Sequence, residues 1–525
     1  MKTEIYDTTL RDGSQQEGIS LTVGDKLRIA SLLDELGVDY VEGGWPGANP
    51  KDDEFFSRAK KELDFNTATL VAFGSTRRPR GTVATDPQLQ ALLAAETEII
   101  CIVGKSWDYH VLEALRTDLE EGVRMVEESI RYLRDKDRRV FFDAEHFFDG
   151  FRTNPDYALR VLQAATDAGA ERLVLCDTNG GTLPSEILTT IGKVQTAFPS
   201  GQLGVHFHDD VGCAVASSLA AVDAGVRQVQ GCINGYGERT GNADLSTLIP
   251  DLALKMKLPV LPEGRLELLS PVAHHVAEVI NIALDPHHPY VGTSAFTHKA
   301  GLHTSALARR SDAYEHEDPA QVGNSTRMVV SELAGRASVL SEARNLGLEV
   351  DADTAVRILE EVKDLEHKGY HFEAADGSFE LLMRRALGWT PNFFELESFR
   401  VFTDRRADEE IVAEATVKVV VAGERVVTTG EGVGPVHALD QALRAALRNA
   451  YPDIDRLRLT DYRVRVLDSS HGTGAVVRVL LETSDGDDTW GTIGVHENVI
   501  EASWDALTEG LIVGLLRREA AERPV

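Results

Sequence analysis

Two histidines separated by one residue, His206 and His208, are well suited to bind a metal ion. In a β-strand, side chains at positions i and i+2 project to the same face, so the two imidazoles would converge on one point. Asp12 would add a carboxylate oxygen, and Asn242 lies in a further polar segment that we expect at the same place. Such a set leaves positions open for water or substrate, as a catalytic divalent cation requires. The alternative interpretation is a surface histidine pair, or two buried histidines bonded to the backbone.

Three more residues could act on a substrate beside such a metal. Arg11 keeps its proton and presents several fixed donors, which suits an oxyanion or a carboxylate; the alternative is a salt bridge to Glu42 or Glu145. Glu145 could serve as a base or could position a water molecule. Thr178 offers a hydroxyl and a backbone donor for a carboxylate, and its alternative is a turn.

A second group of ionisable residues lies further along the chain, in residues 295–303 (AFTHKAGLH). A solvated polar loop is one interpretation. The other is an element that closes over an active site, in which His303 and Tyr314 would supply acid–base groups, since imidazole titrates near neutral pH.

The elements that must position these residues alternate in the first 250 residues between short apolar runs and segments with helical periodicity. The apolar runs are residues 4–10, 38–42, 69–74, 98–104, 139–146, 172–178, 203–208 and 227–234. Eight strand–helix units predict a (β/α)₈ TIM barrel, in which function collects at the carboxyl ends of the strands. The candidate residues do lie at the ends of these runs or just after them. The alternative is an open doubly wound sheet, but a Gly-x-Gly-x-x-Gly motif is missing after the first run.

Three domains are predicted: a catalytic barrel over 1–257, a linker and helical subdomain closing over the active site over 258–390, and a C-terminal α+β domain over 391–525. The last contains a weak internal duplication. One copy has strands at 414–421 and 426–429 and a helix at 436–447. The other has strands at 462–467, 475–482 and 490–495 and a helix at 499–516. Such a domain could dimerise or hold a small regulatory ligand.

The composition excludes several function classes. The 525 residues are 43% hydrophobic, which indicates a folded multidomain protein. Their 54 basic and 84 acidic residues give a net charge of −30, which argues against general binding to nucleic acid or to a membrane surface. The 4 cysteines form no Cys-x-x-Cys pair, and neither an apolar signal segment nor a membrane-spanning run occurs. We therefore expect a soluble cytoplasmic protein.

Three motifs carry a resemblance to a known family. Residues 7–13 (DTTLRDG), 205–212 (VHFHDDVG) and 234–245 (NGYGERTGNADL) resemble the metal-dependent barrel family of α-isopropylmalate, homocitrate and citramalate synthases, and the resemblance covers nearly the whole chain. Residues 15–18 (QQEG) and 43–50 (GGWPGANP) are most similar to the long-chain citramalate synthase branch.

The resemblance implies a metal site and an activating cation. Asp12, His206, His208 and Asn242 would surround the divalent metal, which could be Mg, Mn, Zn or Co because such ligands discriminate only modestly. Arg11 would polarise the ketone and the thioester enolate.

It also implies roles for four other residues. Thr178 would bind the carboxylate of the keto acid, and Glu145 would be an acid–base or positioning group. His303 and Tyr314 look like the pair contributed by the subdomain, which in this family reaches over a neighbouring subunit's barrel.

The implied activity is a Claisen-type condensation of acetyl-CoA with pyruvate, followed by thioester hydrolysis to (R)-citramalate and CoA, in isoleucine biosynthesis. A homodimer is expected, with isoleucine as an inhibitor bound near residues 434–435. Three alternatives remain: a 2-isopropylmalate synthase, a carbon–carbon lyase, which should lack the C-terminal repeat, and a catalytically silent amino-acid sensor.

Overall fold

The computed structural model describes residues 2–199, 202–298, 310, 314–328, 336–405, 411–467, 472 and 474–522. Their packing gives two compact units. The first comprises Met1–Phe296 and Glu317–Thr326, and the second comprises Thr297–His316 and Arg327–Val525. Over these ranges, no helix is both long and apolar enough to cross a lipid bilayer.

The first unit contains a closed barrel of eight parallel strands that follow one another in chain order, so the predicted TIM barrel is confirmed. Strands β1 to β8 are Glu4–Asp7, Tyr40–Gly44, Thr69–Ser75, Ile99–Lys105, Arg139–Glu145, Arg172–Asp177, Leu203–Phe207 and Gln228–Gly231. Each strand falls within or beside one of the eight predicted runs. Strands covered on both sides read as nearly continuous apolar segments, which is why the pattern was visible in the sequence.

Helices cover the outside of the barrel. Helices α1 to α10 are Val23–Leu36, Pro50–Glu62, Pro87–Ala94, Leu119–Arg134, Phe147–Thr153, Pro155–Asp167, Pro184–Val194, Ala214–Asp223, Leu245–Pro250 and Leu269–Ile280. Single turns of 3₁₀-helix occur at Gly13–Gln15, Val83–Thr85, Ile233–Gly235, Leu266–Leu268 and Pro319–Val322, and π-helical turns at His110–Ala114 and Asp251–Lys255.

Local signals explain where several of these helices begin. Thr22 and Asp25 form a reciprocal capping box at the start of α1. A π-helical turn ends at Ala114, and the Asp118 side chain caps helix α4 by accepting the Glu121 N–H. Helix α10 buries Val272 and Val276 in the barrel's hydrophobic core, so this part of the segment after residue 257 packs within the first unit.

The barrel interior contains a cluster of aromatic rings. Tyr6, Tyr40 and Phe141 pack with ring centroids 5.2 to 6.3 Å apart. These rings belong to one hydrophobic cluster. The interior of an eight-stranded barrel is just wide enough for side chains to fill, so this cluster closes the barrel. Polar side chains lie on both sides of this cluster, with Glu4 and Arg172 at the amino ends of their strands and His206 near the carboxyl end of β7.

The second unit begins with short elements and a small helical cluster. Strands β9 (Thr297–His298) and β10 (Arg327–Met328) pair in parallel. Helices α11 to α13 are Arg336–Asn345, Ala352–His367 and Asp376–Ala386, with a further 3₁₀ turn at Phe372–Ala374. They share a core that includes Val339, Ile358 and Phe379.

The C-terminal part contains the predicted duplication: two three-stranded antiparallel sheets, each followed by a helix. The first copy comprises β11 to β13 and α14, at Phe394–Arg405, Ile411–Val421, Glu424–Gly432 and Pro435–Leu447. The second comprises β14 to β16 and α15, at Arg458–Val466, Val477–Ser484, Thr489–His496 and Val499–Glu522, with a 3₁₀ turn at Pro452–Arg456 before it. The sequence interpretation missed β11, because most of its side chains are exposed and its apolar residues do not alternate.

Candidate active site

Three of the four predicted metal ligands meet at the carboxyl end of the barrel. His206 lies in β7, His208 follows the strand directly, and Asp12 belongs to the loop after β1. The two Nε2 atoms lie 3.3 Å apart, and the Oδ2 atom of Asp12 lies 3.4 Å from His206 Nε2 and 3.8 Å from His208 Nε2. All three side chains are buried, and together they form a group that could hold one metal ion.

Asn242, the fourth predicted ligand, is buried beside this cluster. It forms an antiparallel β-bridge with His208 and donates through Nδ2 to the Tyr236 carbonyl over 3.1 Å. Its Oδ1 atom is buried and has no hydrogen-bond partner within the part of the chain that the structure describes. Buried polar atoms normally form hydrogen bonds, so this oxygen is available to bind a metal ion. Gly237 makes the fit possible, because a Cβ there would lie 2.2 Å from Asn242 Nδ2.

The electrostatics of the cluster favour a cation. Burial opposes ionisation of Asp12, but the Arg11 guanidinium and the two imidazoles outweigh it and hold the pKa of Asp12 well below its usual range. Burial, together with His206, lowers the pKa of His208 to about 4, so His208 is neutral at pH 7. An ionised carboxylate, imidazole nitrogens and an unsatisfied amide oxygen are a donor set that fits a divalent transition metal or Mg²⁺.

Arg11 is held rigidly at the edge of the cluster. Its Nε donates to Glu42 Oε2 over 2.7 Å and its Nη1 to Asp12 Oδ2 over 3.0 Å. The guanidinium lies over the Phe73 ring, with Cζ 3.8 Å from the ring centroid. Glu42 is fully buried and also accepts the Tyr6 hydroxyl over 2.7 Å. The salt bridge to Glu42 considered from the sequence is therefore present, and it fixes the guanidinium that a substrate would meet.

A cavity of 380 Å³ opens above the cluster. The predicted residues that line it are Arg11, Asp12, Glu145, Thr178, His206 and His208. Arg77, Lys105 and Arg239 also line it, and each of them forms an ion pair with a carboxylate.

Two of the predicted residues in the cavity have partners of their own. Thr178 Oγ1 accepts the His146 N–H over 2.9 Å, which leaves the hydroxyl hydrogen to donate elsewhere. Glu145 forms an ion pair with Lys105. Asn242 lies beside the cluster and is not among the lining residues. Tyr314 is a half-exposed residue of the second unit, and His303 lies outside the described residues.

Sequence reasoning missed several residues of the site. Lys105 is the last residue of β4, so the rule that found the other candidates at strand ends would also have found it. Gln230, which accepts a hydrogen bond from His206, is enclosed in a buried strand, and its sequence neighbours give no sign of its partner.

Comparison with known proteins agrees along the whole chain. The HMGL-like family model matches residues 2–276. A homocitrate synthase post-HMGL domain-like model matches residues 290–370, and a LeuA allosteric (dimerisation) domain model matches residues 373–513.

Individual relatives share this organisation. An (R)-citramalate synthase of Streptomyces coelicolor is 52% identical over 520 residues, which cover 98% of this chain and 97% of the relative. An (R)-citramalate synthase of Aquifex aeolicus is 50% identical, covering 99% of this chain and 98% of the relative. A probable 2-isopropylmalate synthase of Methanopyrus kandleri is 33% identical, covering 97% of this chain and 98% of the relative.

Proposed function

Because the chain belongs to the HMGL-like family and, within it, to the (R)-citramalate synthases, which are condensing acyltransferases, we propose that it condenses acetyl-CoA with pyruvate and hydrolyses the thioester to (R)-citramalate and CoA. The observation that carries this proposal is the cluster of Asp12, His206 and His208 beside Arg11 at the floor of one cavity. Negative charge develops on the enolate oxygen and on the ketone oxygen during such a condensation, and the Arg11 guanidinium lies beside the cluster where it could stabilise that charge.

Asp12, His206 and His208, with the Oδ1 atom of Asn242, would hold the divalent metal, for which Mg, Mn, Zn and Co all remain candidates. When bound, such an ion acts as a Lewis acid on the oxygens of the keto acid. All of these side chains are buried, and contacts from Arg11 to Asp12, from Gln230 to His206 and from Asn242 to the Tyr236 carbonyl position three of them before substrate arrives.

Arg11 would stabilise the oxygen on which charge develops. Its Nε and Nη1 atoms are used by Glu42 and Asp12, so the guanidinium cannot rotate away from the cavity. Thr178, whose oxygen accepts from the His146 N–H, would donate its hydroxyl hydrogen to the carboxylate of the keto acid. The substrate would then be fixed at both ends with its ketone carbon open to attack.

The condensation needs a base for the acetyl methyl group and a water molecule for the thioester. The base removes one methyl proton, the resulting carbanion forms a bond to the ketone carbon, and the ketone oxygen takes up a proton. Water then breaks the thioester C–S bond and releases the CoA thiol. Glu145, held at the cavity wall by Lys105, would position the water or exchange a proton, and His303 with Tyr314 would complete the acid–base set.

The test is thiol release from acetyl-CoA across a panel of 2-oxo acids. We expect pyruvate to give the highest kcat/KM and to yield (R)-citramalate. A preference for 3-methyl-2-oxobutanoate would instead indicate a 2-isopropylmalate synthase, and no thiol release with any 2-oxo acid would indicate a catalytically silent sensor. Either result would refute the proposal.

For the regulatory part, we propose that the chain is a homodimer joined through its C-terminal domain and that isoleucine, as the end product, inhibits it. The proposed division is a catalytic part at 1–257, a closing subdomain at 258–390 and a regulatory part at 391–525. All four cysteines are free thiols, which supports a cytoplasmic location.

Isoleucine would bind at the start of α14, after Gly434. The test uses the full chain, because α13 packs on the C-terminal sheet, where Ser378 Oγ accepts the Ile493 N–H, and a cut at residue 390 would remove it. Val433→Asp would place a carboxylate beside the bound amino acid and raise the inhibitory isoleucine concentration about two- to fivefold. Val499→Asp, at the start of the equivalent helix of the second copy, is the control. Equal inhibition of both variants and of the wild type would refute this location.

A further inference from the structure

His206 is aligned by a neighbour on the adjacent strand. The ladder between β7 and β8 pairs His206 with Gln230, so both side chains enter the barrel interior side by side. The Nδ1 atom of His206 lies 3.0 Å from the Oε1 atom of Gln230, and both residues are buried. This contact lies on the far side of the imidazole from the Nε2 atom that faces Asp12.

Gln230 is in turn held from across the barrel. Its Nε2 donates to Asp143 Oδ1 over 3.1 Å, and Asp143 comes from β5. The same carboxylate oxygen accepts the Cys101 thiol over 3.2 Å. An ionised carboxylate only accepts hydrogen bonds, so it must face the amide nitrogen of Gln230. The amide oxygen then faces His206, and this orientation is the only one in which both contacts are hydrogen bonds.

The direction of these hydrogen bonds determines which ring nitrogen of His206 carries a proton. Because an amide oxygen cannot donate, Nδ1 must carry a proton, and Nε2 is the nitrogen that is left to bind a metal ion. We propose that Gln230, oriented by Asp143, is the positioning residue that presents His206 Nε2 to the metal and thereby sets the metal affinity of the site. The proposal rests on the proposed function only in requiring that this cluster hold a divalent cation.

His208 provides the contrast. Its Nδ1 atom is buried and has no hydrogen-bond partner among the residues described. Of the two imidazoles, only His206 has its tautomer determined by the protein, so the effect of losing Gln230 should be confined to one ligand. An outer hydrogen bond of this type typically contributes about 10- to 100-fold to metal affinity.

The first experiment removes this hydrogen bond. The full chain is stripped with a chelator and titrated with Co²⁺, whose visible absorption reports both affinity and coordination. Gln230→Met, of similar size, should bind Co²⁺ about 10- to 100-fold more weakly than the wild type. Gln228→Met is the matched control, because Gln228 is an equally buried glutamine two residues earlier on the same strand and contacts Glu4 instead of His206. Unchanged affinity in Gln230→Met, or an equal loss in Gln228→Met, would overturn the proposal.

The second experiment restores the hydrogen bonds between residues 143, 230 and 206 with the carboxylate and the amide exchanged, so that His206 keeps an acceptor at Nδ1. In the double variant D143N/Q230E the new amide donates to the new carboxylate, which still accepts from His206 Nδ1–H, and the buried charge is unchanged. Its Co²⁺ affinity and spectrum should return close to those of the wild type. A folded double variant as weak as Gln230→Met would show that the hydrogen-bond chain is not the cause.

The tautomer can also be measured in the wild-type protein, which keeps the proposal testable if Gln230→Met or the double variant fails to fold. In wild-type protein with ¹⁵N-labelled histidine, loaded with diamagnetic Zn²⁺, His206 should show a protonated Nδ1 and a metal-bound Nε2 without a proton. Assignment comes from the signal lost in His206→Gln. The opposite tautomer would overturn the proposal. Because neither metal titration nor tautomer depends on turnover, a wild type that binds metal but makes no citramalate would refute the proposed function alone.

Discussion

The two ends of the barrel differ in what their charged and ionisable side chains contact. At the amino ends of the strands, acids and bases are matched: Arg172 holds Glu4 through two hydrogen bonds of 2.7 and 3.0 Å, and Arg139 holds Glu171 through two of 2.6 and 2.8 Å. At the carboxyl ends, the buried carboxylate of Asp12 and the imidazoles of His206 and His208 face one another and could hold one metal ion.

This difference separates stability from chemistry within one fold. At the amino end the charged side chains pair with one another, and the buried atoms without a partner among the described residues include Thr3 Oγ1 and Gln228 Oε1, which are neutral. At the carboxyl end the atoms without a partner include Asn242 Oδ1 and His208 Nδ1, which belong to the metal cluster. Substitutions at the amino end should therefore change unfolding and leave turnover intact. Substitutions of the same kind in the metal cluster at the carboxyl end should lower turnover and change unfolding little.

The largest effect is expected from Asp12→Ala. It removes the carboxylate from the cluster and, since Lewis-acid stabilisation is worth several kcal/mol, kcat for citramalate formation should fall by about 1,000-fold or more. Glu4→Gln, at the other end of the barrel, should leave kcat unchanged. Activity of Asp12→Ala close to that of the wild type, after removal of adventitious metal, would contradict the comparison.

A smaller loss is expected from Arg11→Lys. Lysine keeps the charge but cannot donate to Glu42 and Asp12 at once, so the cation would no longer be fixed toward the cavity. We expect kcat to fall about 100-fold, as when one donor to a developing oxyanion is lost. Arg172→Lys is the matched variant at the amino end, and steady-state kinetics of the pair should show the loss in Arg11→Lys alone.

The pH dependence of stability should have opposite signs at the two ends. Burial raises the pKa of Asp7, at the end of β1, to about 7, although hydrogen bonds from Thr9 oppose the shift. Folding then takes up a proton, so this residue lowers the free energy of unfolding by up to about 1.4 kcal/mol per pH unit as pH rises toward 7. Asp7→Asn should flatten that slope in urea titrations between pH 5 and 8.

Glu171 at the amino end supplies the opposite case. Hydrogen bonds from Arg139 lower the pKa of Glu171, so its contribution to stability is present above its unfolded pKa and is lost as pH falls. Glu171→Gln should therefore reduce the acid sensitivity of the protein and leave the slope between pH 5 and 8 as it is. Identical pH profiles for the two variants would contradict the assignment.

The smallest effect is expected from Phe73→Leu. This change keeps an apolar side chain but removes the ring beneath the Arg11 guanidinium. A cation–π contact of this type is worth about 0.5–1 kcal/mol, so kcat/KM should fall about two- to fivefold. Phe141→Leu, deeper in the barrel, should lower the melting temperature without that kinetic change, and a larger kinetic loss in Phe141→Leu would refute the role of the ring.

The sequence predicted the barrel and the metal cluster for related reasons. Buried parallel strands are continuous apolar runs, and polar residues at their ends must meet at one rim, which placed His206, His208 and Asp12 together. The contact of Gln230 with Asp143 could not be predicted in this way. Which interior side chains meet across a barrel depends on strand register and stagger, and these are properties of the closed sheet rather than of any one strand.

The central claim is most directly tested by stripping the wild-type enzyme of metal and measuring CoA release from acetyl-CoA and pyruvate as metal is restored. The account predicts no turnover after chelation, and recovery that is complete at one equivalent of Mn²⁺ or Co²⁺ per chain. Full turnover in protein shown to be free of metal would contradict it.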